Sequence, residues 1–115
     1  MCGLLGFYGK YNFTKNLKDI DSSLKTIKNR GPDDSGKFID INNYLVLGHT
    51  RLSIIDISNN GSQPMISFDE QLVIVFNGEI YNYIDLRKEL KNNHIFFKGH
   101  SDTETLLEYI AFFGL

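Results

Sequence analysis

The sequence opens with MCGLLGFYG, residues 1–9, and this stretch organises the rest of the chain. Its mixture of apolar residues with glycine predicts a first strand over Cys2–Tyr8, along which another backbone or a ligand can approach closely. Cys2 is the only cysteine, and removal of Met1 would give it a free α-amine beside its thiol. The amine of such a residue can take the proton of the thiol, which makes Cys2 a candidate nucleophile. Because most cysteines at this position are inert, the candidate depends on a substrate site elsewhere in the chain.

Length, charge and composition exclude several classes of protein. A chain of 115 residues forms one domain with a single modest core, and nine Phe and six Tyr argue against disorder. A net charge of −2 gives no electrostatic reason to expect a nucleic-acid or membrane partner. The longest later apolar run, residues 72–76, is too short to span a bilayer, and one cysteine excludes an internal disulfide or a multi-cysteine metal site. We therefore expect a soluble, cytoplasmic protein.

Three helices are predicted. The first has an apolar stripe at spacings of three and four, with Thr14 as a candidate N-cap and Gly31-Pro32 as its stop; the stripe is formed by residues 17, 20, 24 and 27. The second covers Tyr83–Lys91. The third is opened by the S-x-x-E pattern of residues 101–104, which is typical of a capping box, and runs to about Phe112.

The remaining apolar segments predict strands. Phe38–Ile41 and Tyr44–Gly48 form a hairpin pattern across Asn42-Asn43, and three further segments have strand character, namely Arg51–Ile57, Gln71–Phe76 and Ile95–Lys98. Strands interleaved with hairpins and helices predict an α+β fold with antiparallel pairing. Both ends of the chain are apolar, so we expect an unpaired sheet edge and a sequence that is cut short.

Polar clusters at the predicted strand ends and turns contain the groups that a thiol nucleophile needs to act on the amide of an amino acid. Asn77 and Gly78 can donate to the oxyanion that forms on attack. Arg51 offers a guanidinium for an α-carboxylate, while Glu79 and Asp102 offer carboxylates for an α-ammonium group. Loop-ordering roles are assigned to Arg30, Asp33 and Asp34, and no base is sought in His49 or His100 because the α-amine makes one unnecessary.

Six stretches in order resemble the N-terminal glutaminase domain of asparagine synthetases, which are class II glutamine amidotransferases with an N-terminal nucleophile. They are MCGLLGFYG (1–9), RGPDDSG (30–36), GHTRLSIIDIS (48–58), GSQPM (61–65), FNGEIYNY (76–83) and SDTE (101–104). Any one of these would be weak, whereas six in order across nearly the whole chain are specific. The resemblance implies an αββα sandwich of the N-terminal-nucleophile class, of which residues 1–115 would be the N-terminal portion, truncated at its C-terminus.

The same resemblance implies the chemistry of the site. Cys2 would attack the side-chain amide of L-glutamine, and a γ-glutamyl thioester would then be hydrolysed to give glutamate and ammonia. Asn77 and Gly78 would form the oxyanion hole, and Glu79 and Asp102 would hold the substrate amine. The pocket would be lined by the segment Arg51-Leu52-Ser53-Ile54-Ile55, with Arg51 on the carboxylate. This half-reaction needs no metal or cofactor.

The synthetase domain of the family is missing from this sequence. ATP and Mg²⁺ would act only there, and that domain or a separate subunit would receive the ammonia for asparagine synthesis from aspartate. One departure is Asn29, where the family commonly has His before the RGPD motif. Two alternatives stay open: an inactive fragment that binds glutamine or a complementary chain without turnover, and an interaction module with no glutamine role. The chain could also form a homo-oligomer.

Overall fold

The structure is a computed structural model that describes residues 1–53 and 59–115. In chain order its elements are β1 (Gly3–Tyr8), α1 (Phe13–Thr26), β2 (Asp34–Asp40), β3 (Leu45–Arg51), β4 (Met65–Ile66), β5 (Val73–Ile74), α2 (Tyr83–Asn92) and α3 (Asp102–Phe113). Short 3₁₀ turns occupy Lys28–Arg30 and Asn59–Gly61. The predicted mixed α and β composition is confirmed.

The central feature is a three-stranded antiparallel sheet with the order β1-β3-β2. Its middle rows are set by pairs such as Gly6 with Leu47 and Leu47 with Phe38. The predicted hairpin is confirmed, and its two strands are longer than expected. At the end of the sheet Arg51 pairs with Asp34, and continuing the β1–β3 register by one residue brings Cys2 opposite Arg51.

One face of this sheet packs against α1. The core between the sheet and this helix is formed by four buried apolar residues, Phe13, Ile20, Leu24 and Val46. Because side chains alternate along a strand, Val46 and Thr50 face the helix while His49 and Arg51 face away from it. The predicted apolar stripe of α1 is therefore confirmed. The predicted N-cap is wrong: Asn12 holds that position in a left-handed conformation that Asn tolerates well, and Thr14 lies inside the helix.

A second group of elements consists of the antiparallel pair β4–β5 and the helices α2 and α3, which pack on each other. Leu90 of α2 and Leu107 of α3 are buried, with exposed fractions of 0% and 2%. Arg87 of α2 donates to the main-chain oxygens of Gly99 and Ser101 and lies 3.6 Å from a carboxylate oxygen of Glu104. The start of α3 is thus fixed to α2 by a charged side chain.

Two strand predictions are wrong in whole or in part, and in both segments main-chain N–H groups donate to side chains instead of to a neighbouring strand. The predicted strand Gln71–Phe76 is reduced to Val73–Ile74. At the end of this segment the N–H of Phe76 donates to Oε1 of Gln63 at 2.6 Å. The segment Ile95–Lys98 is not a strand. The N–H groups of Lys98 and Gly99 donate instead to the two carboxylate oxygens of Glu104, at 2.6 and 3.0 Å.

The predicted cap of α3 is confirmed, with one half of the capping box used differently. Oγ of Ser101 accepts from the N–H of Glu104 at 3.1 Å. The Glu104 carboxylate bonds to the preceding loop at Lys98 and Gly99, so it secures the approach to the helix. The predicted strand Arg51–Ile57 is described only up to Ser53: β3 ends at Arg51, and residues 54–57 lie outside the described ranges.

No helix in the described ranges is long and apolar enough to cross a membrane.

Gly36 provides a test of the packing of the sheet against the loop that carries Gln63. A Cβ at Gly36 would lie 2.2 Å from the main-chain oxygen of Gln63, whereas a Cβ at Gly6 would meet only Leu47 Cδ2 at 3.7 Å. We expect Gly36→Ala to lower the free energy of unfolding by about 1–3 kcal/mol through overpacking, as measured by urea denaturation. Gly6→Ala is the matched control in the same sheet and should leave stability nearly unchanged. Equal free energies of unfolding for the two variants would show that the loop carrying Gln63 does not pack tightly against β2.

Candidate active site

A cavity of about 340 Å³ lies where β1 begins and β3 ends. This volume is at the lower limit of small-molecule sites, which span about 300–1,000 Å³. Its walls come from five separate parts of the chain and consist of Met1, Cys2, Arg51, Leu52, Gly61, Gln63, Phe76, Asn77, Gly78, Glu79, Ser101, Asp102 and Thr103. The cavity therefore forms only when the sheet, the loop before β4, the segment after β5 and the start of α3 come together.

Cys2 is held through both its main chain and its side chain. Its N–H donates to Oδ1 of Asn77 at 3.1 Å. Its main-chain oxygen accepts from Nε of Arg30 at 3.1 Å. Its Sγ accepts from the N–H of Leu52 at 3.4 Å and lies 3.8 Å from the Leu52 oxygen. These contacts fix the sulfur at the cavity wall beside the end of β3.

Asn77 and Gly78 follow β5 and line the cavity beside Cys2. Because Oδ1 of Asn77 faces the Cys2 nitrogen, the donor Nδ2 of the same amide points to the other side of that group. Asn77, Gly78 and Glu79 are exposed along the cavity wall. A side-chain donor and a main-chain donor are thus neighbours within reach of a thiol.

Arg51 closes the cavity from the sheet side. It is 7% exposed, so its guanidinium lies in a largely desolvated position where a carboxylate would be bound strongly. The oxygen of Arg51 accepts from the N–H of Asp33 at 3.0 Å, and Oδ2 of Asp33 accepts from the N–H of Ser53 at 2.7 Å. Together with the bond from Arg30 to Cys2, these contacts show that Arg30 and Asp33 order the loop around the site.

Asp102 is the first residue of α3 and is 5% exposed. Its Oδ1 accepts from the N–H of Thr103 at 2.8 Å, and its Oδ2 accepts from the N–H of Ile80 at 2.9 Å. It therefore has the structural role of an acid at a helix N-terminus, and it also fixes the turn that follows Gly78. A carboxylate oxygen can accept a second hydrogen bond, so a ligand ammonium group can still be held there.

The structure brings together most of the residues that the sequence nominates. Seven of them line the one cavity: Cys2, Arg51, Leu52, Asn77, Gly78, Glu79 and Asp102. Ser53 is described but lies off the cavity, with its N–H on Asp33. Ile54 and Ile55 lie outside the described residues.

Sequence reasoning misses Gln63 and Thr103, which also line the cavity. Both belong to motifs that carry the family resemblance, GSQPM and SDTE, but neither has a side chain with obvious chemistry. The sequence signal for Gln63 is a polar amide within the short motif GSQPM, which also contains Gly and Pro. Its meaning depends on contacts with Phe76 and Thr103, which are 13 and 40 residues away along the chain.

His49 lies on the same sheet face as Arg51 and is completely buried. Among the described residues, neither ring nitrogen has a hydrogen-bond partner of normal geometry. Burial lowers the pKa of His49 below its ordinary value; the nearby Phe76 backbone and Asp34 raise it in part, and the positive charge of Arg51 lowers it further. His49 does not line the cavity. Its neutral ring is therefore part of the packing beneath the site.

No group of three or more metal-binding side chains occurs within residues 1–53 and 59–115. The wall of the cavity carries a thiol, an amide, a guanidinium and carboxylates.

The sequence matches the family model of the glutamine amidotransferase domain over residues 1–115, and the chain belongs to that family. The resemblance inferred from the six motifs is confirmed.

Among its relatives, the chain is similar to asparagine synthetase [glutamine-hydrolyzing] 1 of Bacillus subtilis, with 44% identity over 110 residues; the match covers 93% of this chain and 17% of the relative. It is 42% identical over 108 residues to a probable asparagine synthetase [glutamine-hydrolyzing] of Schizosaccharomyces pombe, covering 93% and 19%. It is also 32% identical over 125 residues to amidase chry2 of Gibberella zeae, covering 100% and 18%. The chain thus spans about a fifth of the length of these curated relatives.

The burial of His49 predicts a dependence of stability on pH. In the unfolded chain this residue takes up a proton as the pH falls through about 6.5, whereas in the folded chain the lowered pKa delays that uptake. The unfolded state therefore binds more protons in this range, and the free energy of unfolding falls as the pH decreases below about 6.5. His49→Leu removes the titrating group, so we expect the variant to gain stability relative to wild type as the pH is lowered from 7.5 to 5.5.

Urea denaturation at several pH values measures this difference. Other titrating groups, including Glu108, whose pKa is raised by burial, are common to both proteins and cancel in the comparison. A difference in unfolding free energy that stays constant from pH 7.5 to 5.5 would contradict the assignment of His49 as a buried neutral ring.

Proposed function

We propose that this chain hydrolyses L-glutamine to glutamate and ammonia, with Cys2 as the nucleophile. The observation that supports this most is the hydrogen bond from Cys2 N–H to Asn77 Oδ1, at 3.1 Å, on the wall of a cavity that also contains Arg51 and Asp102. Membership of the glutamine amidotransferase family and similarity to glutamine-hydrolysing asparagine synthetases support the same reaction.

The reaction starts when removal of Met1 converts the Cys2 nitrogen into an α-amine. One N–H of that amine stays on Oδ1 of Asn77, and its lone pair takes the proton of the thiol. The thiolate attacks the side-chain carbonyl carbon of glutamine, and the tetrahedral oxyanion is held by Nδ2 of Asn77 and the N–H of Gly78.

The tetrahedral intermediate then collapses to a thioester. The C–N bond breaks, the α-ammonium group protonates the leaving nitrogen, and ammonia departs from a γ-glutamyl thioester on Cys2. The amine next takes a proton from water, whose oxygen attacks the thioester to form a second tetrahedral intermediate. The C–S bond of this intermediate breaks, the α-ammonium group returns its proton to the sulfur, and glutamate leaves, so glutamine and water give glutamate and ammonia.

The amino-acid end of the substrate is bound by the charged walls. Arg51 takes the α-carboxylate, while Asp102 and Glu79, which line the same cavity, take the α-ammonium group. Leu52 contributes its main chain beside the Cys2 sulfur. By resemblance to the family, Ser53, Ile54 and Ile55 are proposed as further glutamine-binding residues of the same segment, although Ser53 lies off the cavity and residues 54–55 lie outside the described ranges.

The finer fold assignment is part of the same proposal. Residues 1–115 are the N-terminal portion of a class II glutamine amidotransferase domain built as an αββα sandwich. The three-stranded sheet with α1 on one face, and a second small sheet followed by the packed pair α2–α3, support this assignment.

The ammonia serves a synthetase domain or subunit that uses ATP and Mg²⁺ to convert aspartate into asparagine. This part of the proposal rests on relatives of which the chain spans about a fifth. No cofactor is required for the glutaminase half, and the cytoplasm is the proposed location.

Labelling of Cys2 by the glutamine analogue 6-diazo-5-oxo-norleucine tests the proposed nucleophile. We expect intact-mass spectrometry to find one adduct on the chain that lacks Met1, competition by glutamine, and no adduct on Cys2→Ala. A folded wild-type chain that lacks Met1 but forms no adduct would contradict the function, and saturable glutamine binding without turnover would support an inactive binding fragment instead.

Asn77→Ala tests the oxyanion hole. Loss of one such donor lowers kcat by about 10²–10³-fold, and we expect a decrease of that size in glutamine hydrolysis with a smaller change in KM. Asn82→Ala is the matched control, since Asn82 precedes α2 without a side-chain cap bond and lies outside the cavity wall. Equal kcat values for the two variants would remove Asn77 from the mechanism.

A further inference from the structure

We propose that Gln63 is a positioning residue that joins the two halves of the candidate site. Its side-chain amide holds the Phe76–Asn77 segment against Cys2 and connects that segment to the first turn of α3, which carries Asp102. The inference rests on the proposed function, because positioning has meaning here only if Asn77 and Asp102 act on glutamine.

Gln63 is itself held firmly by the sheet. The preceding residue, Ser62, donates from Oγ to Oδ2 of Asp34 at 2.6 Å. The main-chain oxygen of Gln63 lies so close to Gly36 that a Cβ there would approach it to 2.2 Å. Since Asp34 and Gly36 both belong to β2, the loop that carries Gln63 is fixed to the edge of the three-stranded sheet.

From this fixed position the amide of Gln63 makes contacts in two directions. Oε1 accepts from the N–H of Phe76 at 2.6 Å, and Nε2 donates to Oγ1 of Thr103 at a longer 3.5 Å. Phe76 directly precedes Asn77, and Thr103 directly follows Asp102. This buried amide, 8% exposed, thus constrains the separation between the oxyanion donor and the carboxylate for the substrate amine, in addition to the direct bond from the Ile80 N–H to Oδ2 of Asp102.

Gln63 does not itself need to touch the reacting atoms. Its amide has no titrating proton, and its described hydrogen bonds go to Phe76 and Thr103 rather than to Cys2. Its effect on the reaction comes from geometry, since a displacement of about 1 Å at a catalytic group can cost 10²-fold in rate. Removing the amide also leaves the Phe76 N–H without its acceptor, which favours a shift of this segment.

Gln63→Met tests the inference because it keeps the size of the side chain and removes both hydrogen bonds. We expect kcat for glutamine hydrolysis to fall at least tenfold while KM changes less than threefold. Gln71→Met is the matched control, since Gln71 is exposed and its Nε2 donates to the main-chain oxygen of Asp69, two residues earlier; it should keep kcat and KM within twofold of wild type.

Thr103→Val removes the second partner and completes a double-mutant cycle. We expect it to lower kcat less than Gln63→Met does, and the double variant to be no slower than Gln63→Met alone, because the two residues act through one connection. Independent, additive effects would overturn the connection between them.

Amide hydrogen exchange separates positioning from loss of the fold. In Gln63→Met the exchange of Phe76 N–H should rise at least tenfold, while that of the core residue Leu107 stays at the wild-type rate. Faster exchange at both residues, or wild-type kcat in the variant, would overturn the inference alone. A folded wild-type chain without Met1 that hydrolyses no glutamine would overturn the proposed function, and the inference with it.

Discussion

The antiparallel pairing of β3 with both of its neighbours is the constraint on which the rest of the structure depends. It produces one face that packs against α1 through Val46 and another that carries His49 and Arg51. Because a shift of one residue would exchange these two faces, a single register secures the core and aims Arg51 at the cavity. The same register brings Cys2 to the end of β3, where its sulfur meets the main chain of Leu52. Stability and site geometry therefore have a common origin in the sheet.

Buried polar groups contribute much of the stabilisation that apolar packing provides in larger domains. Within the described residues, buried polar or charged residues number eleven and buried apolar residues of the core number six. Such groups are costly to desolvate unless they are paired. Glu104 and Asp102 meet this requirement by accepting from main-chain donors of neighbouring loops. Loss of a partner at one of these positions leaves an unpaired buried donor or acceptor, which costs more than loss of an exposed contact.

The sequence is sufficient to predict elements whose stabilising contacts are local. The apolar period of α1, the cap at Ser101 and the hairpin of β2 and β3 are encoded within short segments, and all three are present. The failed strands at 71–76 and 95–98 have suitable composition, but their main-chain donors bond to the side chains of Gln63 and Glu104. Because these hydrogen bonds join distant parts of the chain, they leave no periodic pattern in the sequence. The site residues with distinctive chemistry could be nominated from motifs, whereas Gln63 could be recognised only from its partners.

The position of Asp102 shows why structural and functional roles coincide in this site. A carboxylate at a helix N-terminus is stabilised by main-chain N–H groups, and those bonds also fix its orientation toward the cavity. Asn77 has the same double character, since the amide that would serve an oxyanion also bonds to the Cys2 nitrogen. This double role suits a chain with few buried apolar residues, because each polar group that must be paired for folding is already held in a defined orientation. The two roles are therefore coupled, because a change at Phe76 or Thr103 alters both the packing of α3 and the distance between Asn77 and Asp102. The geometry of the cavity is consequently only as well defined as the hydrogen bonds that close the fold around it.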